Sequence, residues 1–153
     1  MRPLYIFDID GTIANCQHRV HMLDGDDPDR WLRFYDACDK DSPIFNVIET
    51  LNKLSQVCDI WFFTGRTEAV REKTIEWMEV NTRFSCLDFM NPILTMRPSG
   101  DCTADWELKE SWLNSMLEVD RNRLVGVFDD RSSVVDMWRR NGVTCFQVAY
   151  GDF

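Results

Sequence analysis

Histidine is scarce in this chain: its two copies, His18 and His21, sit close together, and no CxxC pair occurs among the six scattered cysteines. Neither a zinc site nor a redox motif is therefore written here. A chain of 153 residues needs no disulfide staples, and scattered thiols suit a reducing compartment, so a cytoplasmic protein is expected. Long apolar runs are missing too. None approaches the roughly 18 to 20 residues that cross a bilayer, and the first residues lack the basic start and apolar centre of a signal peptide, so no membrane association is expected. Basic residues are outnumbered, with 17 Lys and Arg against 26 Asp and Glu, for a formal net charge of −9. That balance excludes broad, non-specific attachment to nucleic acid, which relies on neutralising many phosphates. It leaves room for a grip on one phosphate, because a local cation or bound metal reverses the field at a single site.

What is present is enough apolar material, 44% of residues, for one real core, and residues 1–153 are read as a single domain. Runs rich in Ile, Val and Phe recur at "PLYIFD", "CDIWFFT", "NPILTM", "RLVGVFD" and "VTCFQVA". Segments of helical periodicity lie between most of them, at about 44–56, 67–81, 105–118 and 131–141, with Gly142 stopping the last. Alternation of this kind predicts an α/β fold, a mostly parallel five-stranded sheet flanked by helices and buried on both faces. Residues 14–43 break the pattern. An acidic turn followed by Trp31, Phe34, Tyr35 and Cys38 at helical spacing predicts a small helical insertion, or cap, after the first strand.

In open parallel sheets, ligands gather at the carboxyl ends of the strands. The polar residues there are Asp8 and Asp10 after the first run, Thr64, Gly65 and Arg66 after the second, Arg97 after the third, and Asp129 with Asp130 after the fourth. Four carboxylates around one crevice need a cation. Oxygen ligands without histidine or thiolate point to Mg2+. Phosphoryl transfer fits this set, with Asp8 as nucleophile, since a carboxylate is ionised at neutral pH and needs no base to attack phosphorus. Asp10 would be the acid for the leaving oxygen and then the base for water, which calls for a raised pKa. Lys109 shares a helix face with Trp106, Leu113, Met116 and Leu117, and a lysine in an apolar stripe would steady nucleophile and phosphate together.

Each piece has a plainer explanation. Asp8 and Asp10 alone fit a solvated pair at a strand end, and Thr64 to Arg66 an ordinary turn. One of Asp129 and Asp130 fits an N-cap for the helix that follows. Lys109 could snorkel from the helix edge, and Arg97 could form a surface salt bridge. Those readings require independent coincidences at four places that one fold brings together.

Taken together, "DIDGT", "FTGR", Lys109 in "DWELKE" and "FDDR" resemble the ordered motifs of the haloacid dehalogenase superfamily. The resemblance implies a Rossmann-like sheet of order 5-4-1-2-3. It also implies Asp8 as nucleophile, Asp10 as acid and base, Thr64 as phosphate contact and Lys109 as charge support. Magnesium would be held by Asp8, the main-chain carbonyl of Asp10, and the Asp129 and Asp130 pair, with Asp129 the more direct ligand. The end of the chain, "DDRSSVVDMWRRNGVTCFQVAYGDF", is similar to the close of the 3′-phosphatase domains of phage polynucleotide kinases. Those domains carry arginines matching Arg19, eleven residues past Asp8, and Arg66.

The expected function is a magnesium-dependent phosphatase that removes a 3′-phosphate from polynucleotide ends or nucleotides through an aspartyl-phosphate. Arg19, Thr64, Gly65, Arg66 and Arg97 would contact the substrate. No GxxxxGK[ST] loop occurs, so no 5′-kinase activity is expected from these residues. A small-molecule nucleotidase with the same chemistry is the alternative, and the acidic insertion, by repelling a long polynucleotide, favours a nucleotide or a short 3′ end. A non-catalytic phosphate-binding module is the rival from another class.

Overall fold

The computed structural model describes residues 1–85, 88 and 93–151. Along the chain, β1 (Leu4–Phe7) is followed by the two-residue strand β2 (Ala14–Asn15), helices α1 (Gln17–Val20) and α2 (Arg30–Asp36), and the two-residue strand β3 (Ser42–Pro43). Then come α3 (Phe45–Leu54), β4 (Asp59–Thr67), α4 (Arg71–Asn81), β5 (Leu94–Arg97), α5 (Asp105–Ser115), α6 (Glu118–Asn122), β6 (Leu124–Arg131), α7 (Ser132–Arg140) and β7 (Cys145–Gly151). The first two residues of the expected strand "NPILTM", Asn91 and Pro92, lie outside the described residues.

The main sheet runs β5-β4-β1-β6-β7, and every neighbouring pair is parallel. Counting only these five strands along the chain, this is the expected order 5-4-1-2-3 read from the other edge. The difference in detail is a second, antiparallel sheet, β2 with β3, which the sequence pattern did not announce. Strand periodicity of two sorts the apolar side chains to opposite faces. Phe7, Ile60 and Phe62 pack with Ile48, Leu51, Trp77 and Met78 of α3 and α4. Leu4, Ile6, Trp61 and Phe63 pack with Leu113, Val134, Val135 and Trp138 of α5 and α7. Burial on both faces is why the strands read as nearly unbroken apolar runs.

Helix 105–118 divides. Asn114 and Ser115 are weak helix formers, Met116 and Leu117 turn extended with ψ of 139° and 144°, and Leu117 swings out to 69% exposure instead of joining the inward stripe. Gly142 ends α7 as expected, at φ 76°, where a side chain would be strained. Residues 14–43 carry the short helices α1 and α2 between the paired strands β2 and β3, with Phe34 and Cys38 buried. The described cysteines are free thiols, with Cys102 exposed and the others buried. Among the described residues no helix is long and apolar enough to cross a membrane.

Candidate active site

The chain moves outward from β1 through β4 to β5, then returns to lay β6 on the other side of β1, so the strand order reverses beside β1. Asp8, Asp129 and Asp130 meet at that reversal. All three are buried, and each offers a carboxylate oxygen within 4.8 Å of the others'. Lys109, reaching in from α5, is 1% exposed. Its ammonium donates to Asp8 Oδ1 at 2.8 Å and Asp129 Oδ2 at 2.9 Å, and lies 3.5 Å from Asp105 Oδ2. A snorkelling lysine is thereby ruled out. Burial works against the ammonium, but Asp105, Asp129 and Asp8 outweigh it and hold Lys109 firmly protonated. An N-cap role for the aspartate pair fails as well: Arg131 is the N-cap of α7, and no side chain caps it.

The Asp130 carboxylate is walled by glycine. A Cβ on Gly11 (φ 82°) would fall 2.1 Å from its Oδ2, and one on Gly151 2.0 Å. Thr12 donates to it at 3.4 Å, and Gln147 donates to its main-chain carbonyl at 3.0 Å. Burial and the neighbouring Asp129 push the Asp130 carboxyl up to about 6. Burial also pushes up Asp129, and it drives Asp8 well above the usual carboxylate range despite the Lys109 charge. Three hard-oxygen donors that repel one another, joined among the described residues by no nitrogen or sulfur ligand, fit magnesium.

The sign of the pH effect follows. A carboxyl whose folded pKa is raised costs stability as pH climbs from its unfolded value of about 4 toward the folded one. For Asp130 that window closes at about 6. Thermal melting should therefore show magnesium raising the midpoint more at about pH 7.5 than at about pH 5, where protons compete for the same oxygens.

Asp10 faces a different set of groups. Its Oδ1 accepts from Arg19 Nη2 at 2.7 Å, and from Arg66 Nε at 2.9 Å and Nη2 at 2.7 Å. Burial raises its pKa, but Arg66 and Arg19 more than reverse that and hold the carboxyl below the usual range. This is opposite to the raised value expected from the sequence. The two arginines are both 0% exposed, and their guanidiniums are shared between Asp10 and Asp41, which holds Asp10 in place. A buried guanidinium needs this many acceptors to offset its lost hydration. Asp41 is the hub: it accepts from Arg19 at 2.7 and 2.6 Å and from Arg66 at 2.8 Å, lies 2.8 Å from His18 Nε2, and receives the Trp77 indole N–H on its carbonyl at 2.7 Å. Asp41→Asn should cost about 3–5 kcal/mol of stability and slow turnover, because two buried cations lose their common counter-charge. Calorimetry and a rate assay on the same preparation measure both.

Thr64 is fully buried, and its Oγ1 accepts from the Arg66 N–H at 3.2 Å, which fixes the turn at the end of β4. Gly65 follows, and a Cβ there would press to 2.5 Å from Asp105 Oδ1. Arg97, expected at the substrate, is 8% exposed and spent internally. It donates to the carbonyls of Gly65 at 3.1 Å and Thr103 at 2.5 Å, and to Asp105 Oδ1 at 3.3 Å. Two participants escaped the sequence reading. Asp105 stands one helical turn before Lys109, a spacing that would have found it. Asp41 sits at the end of the irregular insertion, where no periodicity points inward.

The family model described as "Polynucleotide kinase PNKP phosphatase domain" matches residues 2–153. Among curated proteins, a putative bifunctional polynucleotide kinase/RNA ligase of Autographa californica nuclear polyhedrosis virus is 31% identical over 137 residues, 86% of this chain and 17% of that protein. Two solved structures of a Pnkp1/Rnl/Hen1 complex, one titled an RNA repair complex, contain a chain 30% identical to this one. They superpose with TM-scores of 0.73 and 0.74, covering 99% of this chain and 44% and 48% of theirs. A haloacid dehalogenase-like hydrolase from Streptococcus pneumoniae, at 10% identity and TM-score 0.60 over 95% of this chain and 84% of that one, shares the fold. The chain thus spans under half the length of the longer relatives it matches.

Proposed function

Since the chain belongs to the polynucleotide kinase phosphatase-domain family, of haloacid dehalogenase type, we propose that it is a phosphatase that removes the 3′-phosphate from nucleic-acid ends or nucleotides. The observation that carries this reading is the buried Lys109 ammonium, 2.8 Å from Asp8 and 2.9 Å from Asp129 at the edge of a three-carboxylate cluster. It is a place built for concentrated negative charge.

Asp8 attacks phosphorus in line, the ester oxygen leaves with a proton from Asp10, and an aspartyl-phosphate remains on Asp8. Asp10 then takes a proton from water, water attacks the phosphorus, and phosphate departs to restore Asp8. The arginine bonds to Asp10 all fall on Oδ1, which supports Oδ2 as the proton-carrying oxygen. An incoming dianionic phosphate opposes the two arginines and lifts the Asp10 pKa toward the protonated form the first step needs. Lys109 donates to Asp8 and opposes the rise that burial gives its pKa, which favours the ionised form that attacks, and it balances charge on the transferring oxygens. Asp8, Asp129, Asp130 and the Asp10 carbonyl would hold magnesium, which supplies charge neutralisation at the phosphoryl oxygens when bound.

A nucleotidase reading draws support from the net charge of −9. Phosphate release from a 3′-phosphorylated oligonucleotide, a 3′-mononucleotide and a 5′-mononucleotide separates the two. Preference for either 3′-phosphate is the expected result, and preference for the 5′-mononucleotide would contradict it.

A further inference from the structure

One partner of Asp41 differs from the rest. Arg19, Arg66 and Trp77, which all donate to Asp41, are buried, whereas the His18 side chain on α1 is 41% exposed against 0% for that of Asp41. His18 Nε2 lies 2.8 Å from Asp41 Oδ1. A carboxylate only accepts, so the hydrogen in this contact belongs to the imidazole, which carries it on Nε2. His18 thus gives Oδ1 a second donor beside Arg19 Nε at 2.7 Å, while Oδ2 takes Arg19 Nη2 at 2.6 Å and Arg66 Nη2 at 2.8 Å. With two donors on each oxygen, the plane of the Asp41 carboxylate is fixed.

The two Nη2 groups carry the consequence. Each also donates to Asp10 Oδ1, at 2.7 Å. Asp10 and Asp41 therefore share the same two nitrogens, and a turn of the Asp41 carboxylate draws them off Asp10. What is left is Arg66 Nε at 2.9 Å, a single anchor about which the Asp10 carboxyl can rotate.

Resting on the phosphatase reading above, we propose that His18 is a positioning residue for the leaving-group step: its donation to Asp41 keeps Arg19 and Arg66 shared, so that they pin Asp10 by Oδ1 and keep Oδ2 aimed at the leaving oxygen. In that step Asp8 forms its bond to phosphorus, the bond to the ester oxygen breaks, and that oxygen takes the proton from Asp10. A misplacement of about 1 Å in a reacting group costs up to about a hundredfold in rate. A nucleoside oxygen needs the proton and p-nitrophenolate leaves without one, so the two kinds of substrate separate lost aim at Asp10 from general damage.

The test compares wild type, H18A and H18Q on a 3′-mononucleotide, a 5′-mononucleotide and p-nitrophenyl phosphate, read as kcat/KM for the transfer to Asp8. H18A is expected to lose about tenfold on the preferred mononucleotide and to stay within about twofold of wild type on p-nitrophenyl phosphate. H18Q, whose amide offers Asp41 an N–H, is expected to recover to within about threefold of wild type. An equal loss on both kinds of substrate, no loss on the mononucleotide, or H18Q as impaired as H18A overturns the role of His18. Wild-type preference for the 5′-mononucleotide overturns the 3′ reading alone: its leaving oxygen needs a proton too, and the His18 comparison is then read on that substrate.

Discussion

Asp8→Asn is expected to lower phosphate release by about four orders of magnitude or more while leaving the fold intact. An amide of the same shape still fits between Lys109 and the β6 carboxylates, but it has no charge with which to attack phosphorus. Asp8 is also the carboxyl that burial and its acidic neighbours push well above its normal range. Removing that charge relieves repulsion within the cluster, so the melting temperature should hold or rise. A steady-state rate and a melting curve on one preparation separate these effects. Substantial residual turnover would mean that another group, or water, attacks directly.

Lys109→Met should lose both turnover and stability. The ammonium is buried and is the shared counter-charge of Asp8, Asp129 and Asp105. Methionine fills similar space and leaves the three acids facing one another, and breaking a buried pair in this way costs about 3–5 kcal/mol. Calorimetry without divalent ions should show that loss. Added magnesium should recover part of the melting temperature, because a cation among the same carboxylates repairs the same repulsion. Activity should not follow, since the lysine that orients Asp8 stays absent. A variant as stable as wild type without metal would contradict the charge account.

The sheet was legible because strands buried on both faces leave long apolar runs, and each polar residue ending a run fell at the carboxyl edge. Lys109 was legible for a related reason, as a charge on the apolar stripe of α5. The partners of the two arginines were not legible, because motif position locates a side chain without its neighbours. Arg19 and Arg66 are filled by Asp10 and by Asp41, which comes from a distant, irregular segment. The Asp10 shift was missed on the same account, since a pKa depends on neighbours in space. Leu117 shows a local limit: periodicity continues past Ser115, but the backbone does not.

The proposed reaction turns on a covalent phosphate on Asp8. Rapid acid quenching during turnover of an oligonucleotide labelled at its 3′-phosphate, followed by peptide mapping, detects it. An acid-stable, alkali-labile label is expected on the peptide carrying Asp8, absent in Asp8→Asn. Full phosphate release with no label on that peptide would contradict it.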